Sequence, residues 1–281
     1  MKKIISASRR TDLVAHFPGW LSAAVKEEVA HVYGPSSHCY TVDLSPQAIH
    51  TFVLWSKNFA NLIENKSSLR DLLQKYDQLY LHFTITGLGG SFIEKGVPHP
   101  SVALSQLDPL IKIVGIPERL SIRFDPVLYW KENSEMRTNI PFFEKMAPEL
   151  NARGIKDIRV SFAQWYAKAK TRAAKYRFLY IDPPQKEKKE AAGMLAQVAQ
   201  SWDLQLYSCS QNFLTEVQGI RPSSCIDGPH LKKLHPYGEA VSGRKDKSQR
   251  AECRCTESVD IGSYTQFCPH SCMYCYANPR I

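Results

Sequence analysis

The chain has 281 residues, enough to bury one large core or two small ones, and its 43% hydrophobic content is that of an ordinary globular protein. No apolar run reaches the roughly 20 residues of a membrane span, and Arg9, Arg10 and Asp12 interrupt the stretch behind Lys2 and Lys3 before it could act as a signal peptide. The expectation is a cytoplasmic protein with no membrane contact, and a formal charge of +9 suits anionic partners, whether nucleic acid, cofactor or acidic substrate, without choosing among them.

Short β-rich runs then alternate with helical stretches. Lys3–Ser8 reads as the first strand, followed by a helix over Pro18–His31 and a brief extended segment at Tyr40–Leu44. Thr51–Ser56 is the second main strand, and a helix over Asn58–Lys75 is expected to break near Asn65. Leu79–Thr86 alternates at period two and makes the third strand. A helix over Val102–Val114 leads to the fourth strand, Arg119–Asp125, and a helix over Asn139–Arg153 stops at Gly154, a suitable C-cap. Asp157–Phe162 is the fifth strand, two helices follow near Gln164–Lys175 and Lys186–Ser201, and Leu204–Ser208 is the sixth.

Six strands separated by helices imply crossover units and a parallel sheet. Polar residues recur at the strand ends, which favours an α/β fold of the partial (β/α)6, TIM-like barrel type over residues 1–208. From Cys209 the character changes: Gly, Pro, Lys and Cys dominate residues 209–281, and apolar periodicity fades. A loop-rich segment of this length is rarely ordered by a core alone, so a metal site packed on the barrel mouth is its natural organiser.

Seven of the eight cysteines lie from Cys209 onward, which in a cytosolic chain argues for metal rather than disulfides. Cys39 stands apart and is expected to be a small buried hydrophobe. Cys268, Cys272 and Cys275 follow a C-x3-C-x2-C spacing that can direct three thiolates at three corners of a cubane cluster. Zinc is the other soft centre that thiolates suit, and Cys253-x-Cys255 with one or more of the trio would supply its four ligands.

The C-x3-C-x-aromatic-C pattern, with Tyr274 before Cys275, resembles that of the radical S-adenosylmethionine enzymes. The resemblance implies a [4Fe–4S] cluster on Cys268, Cys272 and Cys275 with one iron left open for S-adenosylmethionine, and Tyr274 beside the adenine. It further implies reductive cleavage to a 5′-deoxyadenosyl radical, a reductant such as flavodoxin or ferredoxin, and a six-unit partial barrel. The motif departs from the superfamily's usual order: it lies beyond the sixth strand rather than after the first. Across nearly its full length, in ISASRRTD, FVLWSKN, FTITG, RFDPV, QRAECRCTESVDIGSY and CPHSCMYCYAN, the chain resembles a bacterial family known as domain of unknown function 1848.

Cys209, Cys225, Cys253 and Cys255 form a second set. They suit a fully ligated auxiliary [4Fe–4S] cluster, zinc or no metal, with Cys225 as a spectator a further alternative.

In strand–helix barrels chemistry gathers at the C-terminal ends of the strands. Those ends offer Arg9 and Arg10, Lys57, Arg123 and Asp125 as contacts for the carboxylate of S-adenosylmethionine or an anionic substrate, with a structural salt-bridge network as the alternative. Consecutive Arg9 and Arg10 are costly to bury unpaired, so one is expected to meet an internal acid such as Asp12 or Asp125. His82 is expected to pack within its strand. The leading expectation is thus a radical enzyme acting on an anionic substrate, a phosphorylated metabolite or nucleic acid. The alternative is a zinc-stabilised nucleic-acid-binding protein without radical chemistry.

Overall fold

The computed structural model describes residues 1–34, 38–277 and 279. Its centre is an eight-stranded sheet: β1 (Lys3–Ala7), β2 (Ile49–Ser56), β3 (Leu79–Thr84), β4 (Leu120–Val127), β5 (Asp157–Phe162), β6 (Gln205–Ser208), β7 (Ile220–Pro222) and β8 (Val259–Asp260). The spatial order is β7-β6-β5-β4-β3-β2-β1-β8, and every neighbouring pair is parallel. The six expected strands are all present and adjacent in sequence order. Among the described residues no ladder joins β7 to β8, so the sheet has two edges.

Period-two alternation gives this sheet two unlike faces. Ile5, Phe52, Leu54, Leu81, Phe83, Ile122, Phe124, Ile158 and Val160 point into one large core with the helices. Each such side chain contributes about 1.5–3 kcal/mol by burial, so this face holds the fold together. The opposite face carries Ser6, Trp55, His82, Arg123 and Arg159, and here Ile4, Val53 and Tyr80 pack against Cys225, Ile226, Leu231 and Cys255. Buried polar groups cost about 1–3 kcal/mol each when unmatched, and the C-terminal segment supplies the partners. Gln78 donates to the Leu231 carbonyl (3.0 Å), Arg119 to that of Leu234 (2.7 Å), and His82 Nε2 lies 2.7 Å from the Cys225 oxygen.

Some elements differ from expectation. The first long helix ends at Glu27, because Glu28 adopts a left-handed conformation (φ 57°) and caps it. The β-branched alternation of Val29–Tyr33 then pairs with Cys39–Asp43 as a hairpin. That hairpin carries Cys39 on an outward position, so it is exposed rather than buried. The chain breaks at Asn65 (φ 57°) as expected, and Gly154 (φ 70°) follows helix Ile140–Asn151. The segment after Cys209 does more than pack on the sheet: it adds β7 at one edge and β8 at the other. No helix among the described residues is long and apolar enough to cross a membrane.

Candidate metal centre

The loop carrying Cys268, Cys272 and Cys275 lies against the C-terminal ends of β1, β2 and β3. Asp12, just beyond β1, anchors it: His270 Nε2 lies 2.7 Å from Asp12 Oδ2, and His270 Nδ1 lies 3.0 Å from the Gly96 oxygen. Asp12 also accepts from the Lys57 amide (2.8 Å), the Ser56 hydroxyl (2.9 Å) and the Ala15 amide (2.9 Å), tying the ends of β1 and β2 to one carboxylate. Burial would push this carboxyl up, but His270 and the backbone donors outweigh it and hold it below its ordinary range.

The stretch after β3 meets the loop backbone to backbone. Glu94 pairs with Cys272 in an antiparallel bridge, the Met273 amide donates to Ile93 (2.9 Å), and the Gly96 amide to His270 (3.0 Å). A Cβ on Gly96 would lie 2.4 Å from the Pro269 oxygen, so glycine is what permits this approach. From the far side Arg172, on helix Ala167–Lys175, donates to the Met273 and Cys275 carbonyls, both at 2.9 Å.

Cys272 is buried, and Cys268 and Cys275 are half-buried. Burial pushes Cys268 up to about 11 and raises Cys272 and Cys275 as well. Lys57 Nζ reaches Glu94 at 2.8 Å and draws the Cys272 thiol back toward ionisation, as Arg172 does for Cys275. Burial opposes the Lys57 charge, yet Glu94 and Cys272 together hold it above the ordinary lysine range. Glu94 also accepts from the Tyr274 hydroxyl, while its second oxygen is buried with no partner. Three thiols on one loop beside one ammonium fit a soft metal centre, which takes the charge that burial disfavours on free thiolates.

The second set also converges. Cys209 ends β6, Cys225 follows β7, and Cys253 and Cys255 precede β8. The Cys209 and Cys225 sulfurs are 3.5 Å apart, Arg123 donates to Cys225 Sγ (2.9 Å) and Cys209 Sγ (3.6 Å), and the Ile226 amide donates to Cys255 Sγ (3.4 Å). Hydrogen bonds from Cys209 and Cys255, with Arg123 alongside, hold Cys225 well below the ordinary thiol range. The Cys255 thiol likewise draws Cys253 down to about 6.

The strand-end residues divide between these surroundings. Lys57 and Tyr274 belong to the three-cysteine loop, where the Tyr274 hydroxyl is spent on Glu94. Arg123, with its partner Asp125, belongs to the four-cysteine set, and Ser161 also donates to Asp125. Arg9 donates to Ser258 (3.0 Å) and lies 3.8 Å from Asp246. Arg10 donates to the Gly262 carbonyl (2.7 Å), lies 3.9 Å from Asp260, and stacks over Tyr264. The acids beside these arginines are therefore Asp246 and Asp260, where Asp12 or Asp125 is the internal acid expected for one of them, and β8 is what brings Asp260 to β1. His82 packs within its strand against Trp55, with ring centroids 4.1 Å apart.

Glu94 and Arg172 escaped the sequence reading, although Gly89, Gly90 and Gly96 around Glu94 mark a tightly held stretch. Among the described residues, neither cysteine set has three sulfurs mutually within 4.8 Å, and the group that does gather three ligand atoms so closely is Asp77, His235 and Glu239. It lies at the opposite, N-terminal ends of the strands, and Lys2 already bridges its carboxylates at 3.3 and 2.8 Å.

A family model described as domain of unknown function (DUF1848) matches residues 4–277. The chain belongs to this family. No curated protein matches this DUF1848 chain. Among solved structures, a D-hydantoinase crystal structure is similar at 12% identity and a TM-score of 0.35, covering 77% of this chain. The DUF1848 chain spans 45% of that enzyme's length.

Proposed function

We propose that this protein is a radical S-adenosylmethionine enzyme whose sheet curls as a partial (β/α)6 barrel around an anionic substrate. The carrying observation is the loop of Cys268, Cys272 and Cys275, one buried and two half-buried thiols held by Asp12, Glu94, Gly96 and Arg172 at the strand ends where such folds do chemistry. Strand order in sequence, β1 to β6, is what a partial barrel requires. When bound on these thiolates, a [4Fe–4S] cluster would supply the electron that cleaves S-adenosylmethionine to methionine and a 5′-deoxyadenosyl radical.

The chain's own residues prepare that site. Lys57 and Arg172 offset thiolate charge in a dry environment, where such pairing is stronger than in water. Asp12 fixes the loop through His270, so the three sulfurs keep one orientation. Tyr274 and Lys57 both hold one Glu94 oxygen, leaving the other as an unpartnered acceptor for the ammonium end of the cosubstrate. The apolar body of Met273, buried with Leu88, Ile93 and Trp165, excludes water behind the loop.

For the substrate, the net charge of +9 and the exposed Arg244, Lys245, Lys247 and Arg250 favour a phosphate-bearing molecule. Tyr166, Phe267 and Tyr276 are exposed aromatics near the loop and offer stacking surfaces for bases.

The test is to incubate anaerobically reconstituted, reduced protein with S-adenosylmethionine and assay 5′-deoxyadenosine. Formation of the nucleoside, abolished by Cys272→Ala, supports the reading; colourless protein holding one tight zinc and forming none would end it. Oligonucleotide binding that weakens steeply with salt would assign the substrate class to nucleic acid.

A further inference from the structure

We infer that Cys209, Cys225, Cys253 and Cys255 hold a second metal centre, zinc or a [4Fe–4S] cluster fully ligated by four thiolates, that pins the C-terminal segment to the polar face of the sheet. This goes beyond the radical reading and does not depend on it, because no open iron and no cosubstrate are involved.

Three observations carry it. First, the ligands converge from three separate stretches of chain, after β6, after β7 and before β8, onto one patch where the Cys209 and Cys225 sulfurs are 3.5 Å apart. The thiols are unbridged, and four clustered cysteines with no disulfide are a donor set for a soft centre.

Second, the surroundings are built for thiolates rather than thiols. Arg123 donates to two of the sulfurs and the Ile226 amide to a third. Arg159, buried on the neighbouring strand β5, interacts with the Cys225 charge, and Arg9 with that of Cys253. Asp125 pairs with Arg123 and Asp246 with Arg9, while Arg159 is buried without an ion pair among the described residues. A metal centre on four thiolates carries a charge of about −2, which these guanidinium groups would share.

Third, the spacing is that of thiolates closing on one occupant: zinc–sulfur bonds of about 2.3 Å put four sulfurs about 3.8 Å apart, and the Cys209 and Cys225 sulfurs are 3.5 Å apart. Structural zinc sites are typically closed by C-x2–4-C pairs, and Cys253-x-Cys255 is one residue shorter, so a cluster is the other occupant the set can take.

The site also explains how a stretch with little regular structure stays ordered. Between β7 and β8 the chain contains one seven-residue helix, Gly228–Leu234, yet Cys225, Ile226 and Cys255 are buried against Ile4, Val53 and Tyr80. A metal centre drawing both ends of that stretch together supplies the missing organisation.

The experiment compares anaerobically reconstituted full-length protein with a variant lacking the loop ligands, Cys268→Ala/Cys272→Ala/Cys275→Ala, by iron, sulfide and zinc content and visible absorption. The variant is expected to retain metal at the second set, about four irons with matching sulfide or one zinc per chain. Adding Cys209→Ser and Cys225→Ser should remove it. Arg123→Met, which keeps all eight cysteines, should retain the metal and, where it is a cluster, shift its reduction potential to a more negative value, since hydrogen bonds to sulfur raise it. A loop variant that holds neither iron nor zinc overturns the inference. Failure of the radical reading is a separate outcome: it shows as absent 5′-deoxyadenosine while the loop variant keeps its metal.

Discussion

The two cysteine sets reach the same sheet by opposite means. The loop trio comes from eight consecutive residues, and its neighbours are borrowed: Asp12 from the end of β1, Lys57 from β2, Glu94 from beyond β3 and Arg172 from the helix after β5. The four-cysteine set is gathered from distant stretches, while its principal donor, Arg123, comes from within a strand. A site on one loop can be presented at a mouth with a coordination position left for a visitor. A site stitched from several stretches closes around its occupant and fastens the chain. The first arrangement suits reactivity and the second suits architecture.

The sharpest way to break that contrast is Cys272→Ala. It should bring 5′-deoxyadenosine formation down to background and remove only the loop's iron, leaving the stitched site loaded; loss of both would show that the sets form one site. Next in size is the ammonium–carboxylate pair behind the loop. Lys57→Met strands the Glu94 carboxylate away from water and should cost about 3–5 kcal/mol in a denaturant titration, with Glu94→Gln in the same chain recovering a large part. Additive losses in that cycle would mean the pair is not coupled. Gly96→Ala should cost about 1–3 kcal/mol by overpacking against the Pro269 carbonyl, and lower iron bound at the loop without touching the other site. Cys39→Ala, at an exposed hairpin position, should stay within about 0.5 kcal/mol and change neither metal content nor nucleoside release.

What the sequence disclosed follows the same division between local and distant. The six long strands were legible because Leu79, Leu81 and Phe83 alternate with Tyr80, His82 and Thr84, and period two is a local signal. The cysteine loop was legible because its three ligands share eight residues. β7 and β8 were not, since runs of three and two residues have no periodicity to read. For the same reason the partners of Arg9 and Arg10 were misassigned: Asp260 reaches them only through the β1–β8 pairing. Glu28 turning left-handed hid the hairpin that exposes Cys39, because non-glycine residues rarely adopt that conformation. Glu94 and Arg172 were invisible as site residues, as nothing in their neighbourhoods indicates where the loop will land.

The pairing of β1 with β8 has a consequence for biogenesis. The Ser6 hydroxyl donates to Asp260, 254 positions downstream, so the opening strand lacks one of its two neighbours until that remote stretch has left the ribosome. A nascent chain in this state carries an uncovered hydrogen-bonding edge and a bare polar sheet face, both prone to wrong pairing. On the proposed reading, insertion of inorganic cofactors would then come after translation, as the closing act of maturation. Cells starved of iron during synthesis should accumulate this polypeptide as an aggregation-prone precursor instead of a stable apoprotein.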